Sequence, residues 1–268
     1  MNFDWYGASV DAEPDETLAE VVGAFDMASL APLRPTSGFN RAMALKRGDT
    51  TLATVMWENL GDPDSKSCFV QGTGRHAAPV AEWLRAWQPL HRVARADVAE
   101  DYSGEGTWDR LSALCFKVAD DHHVKTEHAG DWHTGVAGRS VYLGGRQSVA
   151  RVIGYEKGKQ IGGDPNHVRV ELRVRPASRI AKYRASQATP VELYGASRWS
   201  QDLCVRLGQP EVARLSLGTV YRDEDVQRAR RSLLRQYGAV LRGIETETGS
   251  WAAVGEWIGK ELSDEKAV

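Results

Sequence analysis

The chain has 268 residues, 42% of them hydrophobic and 26% charged, with a formal net charge of −2. That composition belongs to an ordinary globular protein with room for one large domain or two modest ones. No repeat or low-complexity segment interrupts it, and the overall charge gives no sign of a nucleic-acid partner. Cys68, Cys115 and Cys204 form no CxxC pair and no Cys/His zinc spacing. An odd count excludes a closed disulfide framework, so all three read as small buried hydrophobes. No apolar run reaches the roughly 20 residues that span a bilayer. The opening MNFDWYGASV lacks a charged segment followed by an apolar one, which predicts a soluble, cytoplasmic protein with no membrane partner.

Phe3 to Val10 reads as a strand, and a helix capped by Asp15 follows, with Leu18, Val21, Val22 and Phe25 on one face. Leu30 to Gly38 carries two prolines and reads as a loop. Arg41 to Lys46, Thr51 to Glu58 and Ser67 to Gln71 read as strands. Arg47-Gly48-Asp49 turns the first into the second, and Leu60 to Lys66 links the second to the third. Pro79 to Gln88 is a helix with Val80, Leu84 and Trp87 on one face, ended by Pro89. His91 to Tyr102 is a strand, which if regular projects Val93, Arg95, Asp97, Ala99 and Asp101 to one side. Trp108 to Asp120 is a helix capped by Thr107, with Trp108, Leu111, Cys115 and Val118 as its apolar stripe.

Gly138 to Arg175 reads as a strand pair, Val149 to Tyr155 and Val168 to Arg175, joined by a glycine-rich connection. The second strand alternates strictly, with Val168, Val170, Leu172 and Val174 on one face and Arg169, Glu171, Arg173 and Arg175 on the other. Ser186 to Pro190 reads as a boundary, with helices beyond it over 190–207, 209–215 and 223–244. The last carries Val226, Leu233, Leu234, Tyr237, Val240 and Leu241 at helical spacing, and a terminal helix holds Trp251, Val254 and Trp257 before a frayed tail from Ser263. The expected fold class is α+β: a central antiparallel sheet with flanking helices over residues 1–185, then a helical C-terminal region over 190–262.

Charge is unevenly spread. From Arg139 to Arg184 eleven Lys/Arg stand against three acids, a local excess of +8. Such a block can neutralise phosphates, although a solvated basic face gives the same count. Within it Tyr155 has Gly154 in front and Gly158 behind, leaving room for a ligand backbone, and Lys157 and Lys159 at hand for a phosphate. A phenol with a free pKa of about 10 is a weak nucleophile at neutral pH and needs a nearby cation or base. The plain alternative is a strand-end tyrosine with a solvated hydroxyl. Asp97 and Asp101 can join Glu171 as oxygen ligands for Mg²⁺ or Mn²⁺, hard cations that prefer carboxylates and polarise phosphoryl oxygens. They are equally a pair of surface acids on an edge strand.

Other signals are weaker. His122 and His123 fall at a helix end, where a cation is favoured, and His128 and His133 stand apart. Gly144-Gly145 is a turn or a phosphate approach; GxxxxGK[ST] is absent and no GxGxxG follows a strand, which removes most of the case for ATP hydrolysis and hydride transfer. Of the nine tryptophans, Trp132 and Trp199 are the candidates for base stacking, the rest reading as core.

RADVAED (95–101), GRSVYLGGRQS (138–148), RVIGYEKG (151–158) and RVELRV (169–174) resemble, in that order, the motifs of the replication-initiation factors of rolling-circle plasmids and filamentous phages. Those motifs are an Arg-x-Asp strand, a Tyr-x-Gly-Ser-x-x-Ser segment, an Arg-x-Tyr-x-Lys segment and an Arg-x-Glu-x-Arg strand. VELYGASRW (191–199) and LLRQYGAVL (233–241) resemble the helical C-terminal region of the phage members.

The resemblance implies a rolling-circle-nickase-like fold and a site-specific DNA endonuclease and strand transferase in a bacterial cytoplasm. Tyr155 would attack a phosphodiester at the replication origin, become joined to the 5′ phosphate and leave a 3′ hydroxyl as primer. Asp97, Asp101 and Glu171 would hold the Mg²⁺ or Mn²⁺, and DNA contacts fall to Arg139, Arg146, Ser148, Arg151, Lys157, Lys159, Arg169 and Arg173. The implied partners are single-stranded or cruciform origin DNA and a host helicase, with the protein a monomer or dimer. Gly145 stands where the family has serine, Gly154 lengthens the spacer before Tyr155, and Tyr142, one strand earlier, is a rival nucleophile. A non-catalytic sequence-specific DNA-binding protein controlling replication or transcription is the alternative.

Overall fold

Period-two alternation sets the architecture. The computed structural model describes residues 1–36, 38–61, 66–87, 89–218 and 223–264; parts of the expected 60–66 link and 263–268 tail, and the helix end at Gln88, lie outside them. The elements in chain order are β1 (Asn2–Val10), α1 (Pro14–Ala24), β2 (Ser29–Pro32), β3 (Phe39–Arg47), β4 (Thr50–Asn59), β5 (Cys68–Thr73), α2 (Ala77–Trp87) and β6 (His91–Tyr102). They continue with α3 (Thr107–His122), β7 (Thr126–Gly130), β8 (Arg139–Leu143), β9 (Ala150–Tyr155), α4 (Lys157–Ile161), β10 (Val168–Val174), α5 (Arg179–Gln187), α6 (Arg198–Arg206), α7 (Asp223–Thr248) and α8 (Trp251–Asp264). The strands form one sheet in the order β2-β3-β4-β5-β1-β6-β10-β9-β8-β7. Its pairings are antiparallel. This is the α+β class expected, with helices at the C-terminal end.

The apolar face of β10 explains where the core sits. Val168, Val170, Leu172 and Val174 are fully buried, with Ala96 and Val98 of β6, Val152 of β9, and Val141 and Leu143 of β8. Onto this sheet α2 packs at β1 and β5, α5 at β6, and α3 at β8 and β9, while α6 packs on α3. The α3 stripe of Trp108, Leu111, Cys115 and Val118 joins the same cluster. Burying each large apolar side chain contributes about 1.5–3 kcal/mol against the ordering of the chain. The three cysteines are buried and free, as their spacing predicts.

A bulge decides which side chains of β6 reach the other face. Gly7 pairs with Arg95 and Ala8 with Val93, so Ala94 is an extra residue against β1. Val93, Ala96 and Val98 therefore enter the core, whereas Arg95, Asp97, Ala99 and Asp101 share the opposite face. A regular strand would have put Val93 with the charged set.

Several local expectations are corrected. The 30–38 loop begins as an edge strand, β2, where Pro32 needs no ladder N–H. Helix α1 starts on Glu13 with Pro14 in its first turn, so Asp15 lies inside it rather than capping it. Helix α3 includes Thr107 and is entered from Gly106 in the left-handed region (φ 71°). The expected 190–207 helix is split: a 3-10 turn (Glu192–Ala196) precedes Ser197, whose reciprocal bonds with Ser200 start α6 afresh. Residues 209–215 are not helical; Gln201 Nε2 donates to the Val212 carbonyl across that segment (2.8 Å).

The chain divides into two compact units, residues 1–220 and 221–268, later than the 186–190 boundary read from sequence. Leu193, Tyr194, Leu203 and Cys204 are fully buried in the sheet's core, which binds that stretch to the first unit. In the second unit α7 packs with α8. Among the described residues no helix is long and apolar enough to cross a membrane.

His91, at the start of β6, is buried and bonded to the Tyr6 hydroxyl (3.0 Å). Burial above all, opposed by the Pro89 carbonyl and reinforced by Arg85, lowers its pKa below the ordinary histidine value. The unfolded chain therefore takes up a proton near pH 6.5 that the folded chain refuses. Stability is expected to be full above that pH and to decline as pH falls through it. Urea midpoints at pH 8 and pH 5.5 should separate more for the wild type than for His91→Phe.

Candidate functional site

Register lays three rows of side chains across the sheet face opposite α3. One row runs Trp5, Asp97, Arg173, Arg151 from β1 to β9. The next runs Ala99, Glu171, Ile153, Tyr142, Glu127 from β6 to β7. The third runs Asp101, Arg169, Tyr155, Ser140 from β6 to β8. Neighbours within a row stand about 5 Å apart, so side chains from six strands line this face.

Asp97 and Glu171 are both buried, at 2% and 7% exposure. Arg95 grips Asp97 with two nitrogens, one bond being 2.9 Å, and Arg173 Nε donates to Asp97 Oδ2 at 3.1 Å. Arg173 Nη2 also donates to Glu171 Oε1 at 3.0 Å. Burial first, and then the adjacent Asp97 carboxylate, push Glu171 up to about 7. A buried Glu171 pushed up in this way, beside the Asp97 carboxylate, is a place where a cation can stand in for the proton. A hard divalent ion takes one or two carboxylates and completes its shell with water and phosphate oxygens. Asp97 with Glu171 fits such an ion. Asp101 stands apart from that pair: Arg169 holds it through two bonds (2.8 and 2.7 Å) and His167 through a third (2.8 Å). Arg169 above all keeps its carboxyl below the usual range, opposed by burial and helped by His167. Among the described residues no group of three or more His, Cys, Asp or Glu is gathered as a metal cluster.

Tyr155 ends β9 half-buried, with the Lys157 ammonium 5.7 Å from its ring centre. Burial, then Glu171, push its hydroxyl up to about 12, while Arg169 beside it pulls the other way. The phenol is neutral at rest, paired in register with Arg169 and within the influence of the Glu171 carboxyl. Tyr142 sits two strands from Glu171 in its row, and Arg151 covers its ring at 4.5 Å.

The basic residues separate into two groups. Arg151, Arg169 and Arg173 lie on this face and are already paired with Glu127, Asp101 and Asp97, respectively. Arg146 extends into solvent, with one long contact to Glu127 (3.4 Å). Arg139 and Lys159 instead close on Glu156, which is buried on the α3 side (3.0 and 2.7 Å). The Ser148 hydroxyl accepts from Gly145 N–H and holds the β8–β9 turn (3.0 Å).

The glycines around Tyr155 serve packing. A Cβ on Gly154 would meet Val141 at 3.2 Å, and one on Gly158 would fall 1.6 Å from the Asp164 carbonyl oxygen. Neither leaves room for a ligand backbone, as the sequence had suggested. His122 bonds Asp202 (2.9 Å), His123 caps α3 in the left-handed region, and Trp199 packs on the core.

Four contributors carry no motif. Asp4 accepts from Arg169 (2.9 Å), Trp5 lies under Arg95 (4.3 Å), Glu127 accepts from Arg151 (3.0 Å) and His167 bonds Asp101. Asp4 and Trp5 enter only because β1 pairs with β6, a contact with no local signature.

A scan against protein-family models and a search of curated proteins return no match. Among solved structures, the rolling circle replication initiator protein from Geobacillus stearothermophilus aligns with a TM-score of 0.55 at 18% identity, over 81% of this chain and 98% of its own. The fold expected from the resemblance is borne out: this chain is built on the fold of a rolling-circle replication initiator.

Proposed function

We propose that this protein initiates rolling-circle DNA replication in a bacterial cytoplasm by nicking single-stranded or cruciform origin DNA. The supporting observation is the meeting of Tyr155 with the Asp97–Glu171 pair and Arg169 on one sheet face of an initiator fold. Tyr155 Oη attacks the scissile phosphorus and gives up its proton. A Tyr–O–P bond to the 5′ phosphate forms, the P–O3′ bond breaks, and the departing 3′ oxygen takes a proton to become the primer hydroxyl. Asp97 and Glu171 would hold Mg²⁺ or Mn²⁺, which when bound supplies Lewis-acid polarisation of a phosphoryl oxygen. Asp101 orients Arg169 and His167 beside the phenol rather than joining that pair. Lys157 and Arg146, the least committed cations, draw in the backbone of the strand, and Arg151 and Arg173 present the remaining positive charge. A host helicase would open the duplex beyond the nick.

Single-stranded DNA carrying the protein's own origin region, incubated with Mn²⁺ or EDTA and run on a denaturing gel, tests this. A covalent adduct is expected with Mn²⁺ and none with EDTA. Independently of activity, Mn²⁺ should raise the melting midpoint of the wild type by a few degrees and leave Glu171→Gln unmoved. Salt-sensitive binding with no adduct under any metal would sink the nickase and leave the non-catalytic DNA-binding protein.

A further inference from the structure

The hairpin joining β7 to β8 carries aromatic surface that the site above does not use. His128 and Trp132 stack on one another, with ring centres 4.9 Å apart and planes 29° from parallel. Phe116 of α3 supports both from behind, at 5.2 and 6.0 Å, and Trp108 meets Trp132 at 5.7 Å. Trp108 belongs to the core, whereas Trp132 is 37% exposed and His128 is exposed too. An apolar ring with so much support and a free surface is suited to a flat partner.

The hairpin is also rigid. Trp132 Nε1 donates to the Ala129 carbonyl (3.0 Å), and the Asp131 carboxylate accepts from the backbone N–H of Thr134 and Val136 (2.8 and 3.0 Å). Lys159, four residues after Tyr155, donates to the Gly135 carbonyl (2.7 Å). The hairpin and the segment following the tyrosine are thus fixed to each other.

Position gives the platform its meaning. Ala129 pairs with Ser140, and Ser140 with Tyr155, so the hairpin stands at the same end of the sheet as the phenol. Two strand spacings, roughly 10 Å, separate the backbones of Ala129 and Tyr155, and the His128–Trp132 stack lies on the α3 side of the sheet, across the β7 edge from the phenol. β7 is the last strand, so a chain leaving Tyr155 can pass over the edge with nothing beyond it in the sheet. We propose that Trp132, backed by His128, is a stacking platform for an unpaired base of the strand whose phosphate reaches Tyr155. This rests on the DNA-nicking reading and adds to it a preference for bases over bare backbone. Stacking accepts any base because each has a π face, so the platform holds the strand open without reading its sequence.

Binding of a short oligothymidylate and of an abasic deoxyribose-phosphate chain of equal length, measured by anisotropy on the full protein in EDTA, tests the assignment. The wild type should prefer the base-bearing strand by at least about fivefold. Trp132→Ala should lose that preference, and Trp132→Phe should keep most of it. The salt dependence should not change, because no phosphate contact is removed. A Trp132→Ala protein with the wild-type preference would overturn the platform, as would a wild type that binds both strands equally; in either case the nickase reading stands. A wild type with no affinity for either strand would overturn that reading and this inference with it.

Discussion

Tyr155→Phe is expected to abolish the covalent DNA adduct proposed above, with residual nicking at least about a hundredfold below wild type. The substitution removes one oxygen and keeps the ring, so the Lys157 contact at 5.7 Å and the packing at the end of β9 persist. Binding of uncut DNA should stay within about twofold. Tyr142→Phe should retain the adduct, because Tyr155 rather than Tyr142 is paired in register with Arg169 and feels both Arg169 and Glu171. A phenol pushed up to about 12 is neutral in the free protein, so in the proposed reaction it would ionise only with a phosphate and its counter-cation in place. The reverse result, loss only in Tyr142→Phe, would keep the reaction and move the nucleophile beneath Arg151. A gel of both variants beside wild type, with Mn²⁺ throughout, decides between them.

What could be read from the chain followed the range of each interaction. The β10 alternation is local, so its buried and charged faces were both foreseen, and so was the antiparallel sheet it belongs to. Asp97 and Glu171 were recognisable as candidates by residue type and motif, and the sheet does bring them together. Asp101 illustrates the limit. It projects from the same side as Asp97, but Arg169 and His167, distant in sequence, take its oxygens. Spacing along one strand gives direction without giving partners. Arg139 and Lys159 show the same limit for charge: counted with the basic block, they are neutralised by Glu156 on the other side of the sheet. The Ala94 bulge was illegible because it arises only where β6 meets β1. The 186–190 boundary and the division at 220/221 differ for another reason. A change from strands to helices in composition marks a change of element, and here the first helical stretch, through α6, closes the same core.

Arg173 is the residue on which the buried acids depend most. Its guanidinium bridges Asp97 and Glu171, whose side chains are 3% and 9% exposed. Removing one partner of a buried ionic group leaves the other charge desolvated and unpaired, at a cost of about 3–5 kcal/mol. Arg173→Met should therefore lose about 3 kcal/mol in urea unfolding, near the upper range for a single substitution. Arg169→Met makes the contrast. It also abandons two carboxylates, but Asp4 and Asp101 are 31% and 44% exposed and water can solvate them, so about 1 kcal/mol or less is expected. The sign of the effect can be separated from lost packing by pairing the change with Glu171→Gln. In that double variant Asp97 keeps Arg95 and no uncompensated charge remains, so more than half of the lost stability should return. If the double variant is as unstable as the sum of its single changes, the guanidinium acts through its bulk, and the Asp97–Glu171 pair tolerates its negative charge without help. The pair would then need no cation from solution either, which joins this unfolding measurement to the Mn²⁺ melting shift: a large coupling between Arg173 and Glu171 and a metal-induced rise in midpoint have one origin, two buried carboxylates with less positive charge than they can use.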